Sequence, residues 1–166
     1  MQTPICEVCL NSEMLCQHCQ DKLNKGEISN LELEVCRFLY DLSKRIRSLK
    51  DVSIKRVMNC GVLLIVTKRG SAAKLVGRNG SVVKKIAKKF KRSIRILEEA
   101  ADFRDFIEGL TSPVSINGIN TLYRGEEEIF KIRIPLLKRN QLLISSDDLS
   151  NILSDLYHIN AEFVFE

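Results

Sequence analysis

Tryptophan is absent from these 166 residues, histidine occurs twice and proline three times. With only His18 and His158, no Ser/His/Asp or Cys/His set for nucleophilic catalysis is suggested, so an enzyme is the weakest expectation. Glu126-Glu-Glu128 falls at a turn and reads as solvated acid, and His158 reads as a partner for the dipole at the end of the last helix. No apolar run approaches the ~20 residues that a membrane helix needs. The opening Met1-Gln-Thr-Pro-Ile-Cys6 has no basic flank followed by a long apolar core, so no secretory signal is expected. A soluble, cytoplasmic protein follows as the expectation. Acid is the other scarcity: between Lys44 and Arg95, seventeen Lys and Arg face a single acidic residue, Asp51.

The remainder of the chain holds 9 basic and 20 acidic residues. That asymmetry points to a polyanionic partner for the middle of the chain and not for its ends. Hydrophobic residues make up 45% and charged residues 28%, a globular balance. The length suits one ordinary domain or two or three small modules.

Four of the six cysteines fall within fourteen residues, as Cys6-x-x-Cys9 and Cys16-x-x-Cys19. Two such pairs let four thiolates converge tetrahedrally, which a closed structural Zn2+ site requires. The site would staple a segment, residues 1–28, too small to bury its own core. Six residues separate the pairs, fewer than in a zinc ribbon, so a compact zinc knuckle or treble-clef variant is expected. Disulfides would need an oxidising compartment, and a thioredoxin-type pair would need only one motif in a βαβ setting. His18, inside the second pair, is surplus to a four-thiolate shell. Cys36 and Cys60 read as reduced cysteines in or near a core.

Ser29-Asn-Leu-Glu32 is a capping box, and Val35, Phe38, Leu39, Leu42, Ile46 and Leu49 recur at helical spacing behind it. A helix to about Leu49 is expected. Val52–Val57 alternates as a strand, Asn59-Cys-Gly61 turns, and Val62–Val66 reads as a more central strand. Ala72 to Ile86 then reads as a short helix, the tight turn Gly77-Arg78-Asn79-Gly80, and a second helix to about Lys91. The glycines permit a sharp turn and close approach to a ligand, and the amides opening the second helix are expected to face outward. Ser93–Leu97 closes the segment as a strand.

The order helix, strand, strand, helix, Gly-x-x-Gly, helix, strand resembles the prokaryotic (type II) KH fold. The resemblance is carried by Leu75-Val-Gly-Arg-Asn-Gly80 and by Val83, Ile86, Ala87 and Phe90 behind it. It implies a groove for about four nucleotides of single-stranded RNA. Gly77 and Gly80 would allow close backbone approach, and Arg78 and Asn79 would contact phosphate. Lys74, Lys84, Lys85 and Lys88 would add charge. Leu75, Val76 and Val83 would form an apolar floor, with base edges read by Ser93–Leu97.

Glu98–Glu108 reads as an acidic helix with Phe103, Phe106, Ile107 and Leu110 on one face, ended by Thr111-Ser-Pro113. Val114–Tyr123 and Glu128–Ile134 read as strands, Ser145-Ser-Asp-Asp148 caps a last helix, and Ala161–Phe165 is a final strand. This half echoes the first, with Ile86 and Phe90 sharing one offset with Ile152 and Leu156. Leu136–Ile144 stands where the Gly-x-x-Gly would be. The tandem, with Phe103-x-x-Phe-Ile-Glu and Ser-Pro-Val between its copies, resembles the archaeal NusA-like family of transcription factors.

The expected class is therefore α+β: an N-terminal four-cysteine zinc knuckle (1–28), a type II KH domain (29–98) and a degenerate KH-like domain (99–166). The resemblance implies a non-catalytic RNA-binding protein of transcription elongation, termination or ribosome-linked RNA metabolism, with RNA polymerase or ribosome components as further partners. Neither a membrane nor a small-molecule substrate is expected. A protein-interaction adaptor using the zinc module and C-terminal half, or a binder of single-stranded DNA, are the alternatives.

Overall fold

The computed structural model describes all 166 residues, Met1–Glu166, as an α+β protein with seven α-helices and two three-stranded mixed sheets. None of its helices is long and apolar enough to cross a membrane. The chain divides into two compact units, Met1–Glu99 and Ala100–Glu166.

The first unit opens with two short helices, α1 (Glu7–Asn11) and α2 (Gln17–Asn24). Helix α3 (Asn30–Arg45) starts where the Ser29 hydroxyl accepts the Glu32 amide at 3.0 Å. It ends four residues before Leu49, because Ile46 turns extended and a 3-10 turn (Arg47–Asp51) lets Leu49 drop into the core, fully buried. Strand β1 (Ile54–Cys60) runs further than alternation alone marks, with only Gly61 between it and β2 (Val62–Thr67). At φ +77°, Gly61 turns in a backbone region that side chains disfavour. Helices α4 (Ala72–Val76) and α5 (Ser81–Phe90) and strand β3 (Ile94–Glu98) complete the unit.

The sheet order is β1-β2-β3, antiparallel then parallel, with every residue of the central β2 buried. Leu63 and Ile65 share a core with Val35 and Leu39 of α3, Leu49 of the 3-10 turn, Leu75 of α4, and Val82 and Ile86 of α5. Ile5, Cys9, Leu10 and Cys19 belong to this same core, so the cysteine segment is built into the first unit and has no core of its own. The extended start of the chain reinforces this, since Gln2 exchanges backbone hydrogen bonds of 2.9 Å with Val52 and Ile54.

In the second unit, helix α6 (Phe103–Thr111) begins later than its acidic composition suggests. Glu98 is spent in β3 opposite Thr67, and Asp102 caps the helix by accepting the Arg104 amide at 3.0 Å. Strand β4 (Gly118–Arg124) likewise starts late, because Val114 and Ile116 fill the core from irregular backbone. Strand β5 (Glu127–Ile134), a 3-10 turn (Leu136–Gln141), helix α7 (Ser146–Tyr157) and strand β6 (Asn160–Phe165) follow. Phe103, Phe106, Phe130 and Tyr157 pack edge to face at 5.1–5.8 Å, joining both helices to the central strand.

The two sheets have one topology: β4-β5-β6 is again antiparallel then parallel, about a central strand. Ile86 and Ile152 occupy matching buried positions on α5 and α7, and Ile96 and Phe163 each pair with an isoleucine of the central strand, Ile65 and Ile132.

Candidate nucleic-acid interface and metal centre

Helix α4 is stopped by Gly77 at φ 76°, ψ 170°, a combination a side chain opposes. A Cβ there would lie 2.7 Å from Cγ2 of Val82, itself buried at the start of α5. Asn79 (φ 53°, ψ 30°) and Gly80 (φ 72°, ψ 20°) then take the left-handed conformation in succession, a rise that asparagine and glycine tolerate best. Gly80 is less constrained in space, since its Cβ would meet only Val83 Cγ1 at 3.5 Å and the flexible end of Lys84 at 3.8 Å.

The turn consumes more of its own amides than expected. Those of Gly77, Gly80 and Ser81 donate to the Ala73, Gly77 and Arg78 carbonyls, so the Gly80 and Ser81 amides do not face outward. What the turn presents is side chains. Arg78 and Asn79 are exposed at its tip, with Lys74 on α4 and Lys84, Lys85 and Lys88 on α5 also exposed. None of these five cations joins an ion pair. At the other end of α4, the Ala72 amide donates to Glu98 Oε1 at 2.8 Å, and the Ser71 hydroxyl accepts the Ser53 amide at 3.1 Å.

One expected member of an apolar floor is withdrawn. Leu75 points inward and is fully buried, whereas Val76 is exposed and Val83 half-buried. On β3 every residue is half-buried, and burial pulls the Arg95 guanidinium below its ordinary pKa.

The second unit builds no equivalent of this turn. Leu136, Leu137 and Leu143 are exposed there, Leu137 at 95%. They are held out by an ordered turn, in which the Leu136 amide donates to the Glu166 carbonyl at 2.9 Å and Arg139 lies over the Phe165 ring at 5.0 Å. The echo between the two halves located this segment but not which of its leucines stay outside.

The four cysteines do converge. Their sulfurs all lie within 4.8 Å of one another, with Cys6 Sγ 3.3 Å from Cys9, 3.7 Å from Cys19 and 3.8 Å from Cys16. A tetrahedral ion with metal–sulfur bonds of about 2.3 Å has sulfur–sulfur edges of about 3.8 Å, so the set fits a structural metal. Each pair straddles a helix start: Cys6 and Cys16 cap α1 and α2, and Cys9 and Cys19 sit inside them. The Cys16 amide donates to Cys9 Sγ at 3.0 Å. A hydrogen bond from the Cys19 backbone lowers the Cys16 thiol to about 7, while burial pushes Cys9 up to about 12 and raises Cys19. No disulfide joins the two pairs, nor the buried Cys36, whose pKa burial also raises, nor Cys60. His18 is exposed on α2 and outside the cluster.

Helix α3 holds this centre through contacts that composition did not reveal. Arg37 donates to the Cys9 carbonyl at 3.0 Å and the Glu13 carbonyl at 3.2 Å, and the Tyr40 hydroxyl donates to Glu7 at 2.7 Å. Asn11 links Tyr40 and Lys44 at 3.1 Å each. Arg37, Tyr40 and Lys44 form a polar stripe at helical spacing, visible in the sequence without its partners.

No protein-family model matches the chain, and no curated protein matches it. Among solved structures it is similar to the crystal structure of APE1850, with a TM-score of 0.56 over 81% of this chain and 99% of that one. At 18% identity this likeness concerns the fold alone.

Proposed function

We propose that the chain is a non-catalytic RNA-binding protein of the archaeal NusA-like, type II KH kind, gripping single-stranded RNA at the turn Gly77–Gly80. The observation that carries this is an obligatory-glycine turn between two helices, ringed by unpaired cations, on a sheet of order β1-β2-β3. Arg78 and Asn79 contact phosphate, while Lys74, Lys84, Lys85 and Lys88 raise the local potential. Val76 and Val83 offer the apolar floor. Zn2+ suits four thiolates in a closed tetrahedral set, and its role would be structural.

Replacing Arg78 and Asn79 together with Asp should abolish binding to single-stranded RNA with the fold intact, and unchanged affinity at low salt would sink the assignment. Competition between matched RNA and DNA oligomers decides whether DNA is the ligand instead. An adaptor role for the second unit, toward RNA polymerase or ribosome components in the cytoplasm, is favoured by one feature: the exposed Leu136, Leu137 and Leu143 where a clamp would be. Pull-downs surviving nuclease treatment but lost with Leu137→Lys would support it.

A further inference from the structure

The basic residues that precede the sheet lie outside the groove just described. Arg47, Ser48 and Lys50 are exposed on the 3-10 turn, while Leu49 between them is fully buried in the same core as Leu75 of α4. The turn packs directly against α4, and its exit is tied there by the bond from the Ser53 amide to Ser71 Oγ. Arg47 and Lys50 take part in none of the ion pairs. Asp51 is the only acid on this turn, and it is exposed at its end. The buried Leu49 fixes the backbone that carries these two cations relative to α4, while their unpaired charges stay in water.

Helix α4 is five residues long, a rise of about 7.5 Å, so Ser71, where the exit of the turn is tied, stands one short helix away from Gly77. The cations of α5 lie on the other side of the clamp in the chain, on the helix that leaves it. Charge therefore flanks the clamp from both helices, and the 3-10 turn packed against α4 adds two more exposed cations.

We propose that the 3-10 turn Arg47–Asp51 is an extension of the RNA track, where Arg47 and Lys50 bind the phosphates of nucleotides beyond those held at the clamp. This rests on the RNA-binding reading of Gly77–Gly80. The contact is sequence-independent, since it is made to phosphate. It lengthens the site without adding base readout.

The test compares oligouridylates of four and ten nucleotides by NMR titration and fluorescence anisotropy, with wild type and the variant R47A/K50A. Losing two phosphate contacts should weaken the ten-mer about tenfold and flatten its log affinity against log salt by about 1.4. Binding of the four-mer should be unchanged, which also certifies that the variant is folded. Equal loss on both lengths would mean a diffuse field and not a track, and an unchanged ten-mer would mean no contact; either overturns the inference while leaving the clamp standing. A wild type that binds neither oligomer overturns the clamp reading, and this inference with it.

Discussion

A Cβ on Gly77 would sit 2.7 Å from the Cγ2 of Val82, two turns of chain joined so closely that only hydrogen fits between them. Val82 is β-branched and buried, so it has little freedom to step aside. Gly80, three residues on, has no such neighbour.

The two glycines should therefore respond differently to alanine. Gly77→Ala combines a disfavoured φ with overpacking and should cost about 2–4 kcal/mol. Gly80→Ala bears the φ penalty alone, about 1 kcal/mol. Chemical denaturation of both variants measures the difference, and equal losses would contradict the packing at Val82.

Metal removal should loosen the first unit and not merely its first residues. Cys9 and Cys19 share a core with Cys36, and Arg37 ties α3 to the Cys9 carbonyl. In the metal-loaded protein Cys36 should resist a thiol reagent, and a chelator should expose it along with the four ligands. Arg37→Ala, which leaves two carbonyls without a charged donor, should cost about 1.5–3 kcal/mol and weaken metal retention in a chelator competition.

Glu32 gives the protein a pH dependence of known sign. Its carboxylate accepts the Val57 amide at 2.7 Å, but Oε2 has no hydrogen-bond partner and lies 3.9 Å from Arg56. Burial raises its pKa above 4.5, against the opposing pull of Arg56 and the Val57 and Ser29 amides. The folded chain then holds this proton more tightly than the unfolded one, so the stability it contributes is full below pH 4.5 and lost as pH rises through the folded value. The melting temperature of Glu32→Gln, relative to wild type, should climb across that interval and then level off. A difference independent of pH would show that Glu32 does not titrate in the fold.

In the second unit, neighbouring apolar residues should behave as opposites. Leu137→Lys should change stability by no more than about 0.5 kcal/mol, whereas Ile144→Ala, in the core, should cost about 2–4 kcal/mol. Thermal melts of the two variants test whether the leucines are displayed or packed.

Much of this was legible locally. The α+β class, the order of helices and strands, and the cysteine pairing reflect short-range chemistry: alternation, helical spacing, a capping serine and the reach of two Cys-x-x-Cys pairs. Helix and strand ends were less legible, because Ile46 bends the chain so that Leu49 reaches the core, and Gly61 alone makes the turn expected of Asn59-Cys-Gly61. Tertiary structure alone decided that Leu75 faces inward while Val76 stays out, since both are apolar and adjacent. It alone placed Glu32 under the Val57 amide and set Arg37 against the Cys9 carbonyl, 28 residues away. And only packing distinguishes the two glycines, alike in sequence, by putting Val82 beside Gly77. Local pattern determines which residues can turn, bind or bury; the close approach of distant segments determines which of them do.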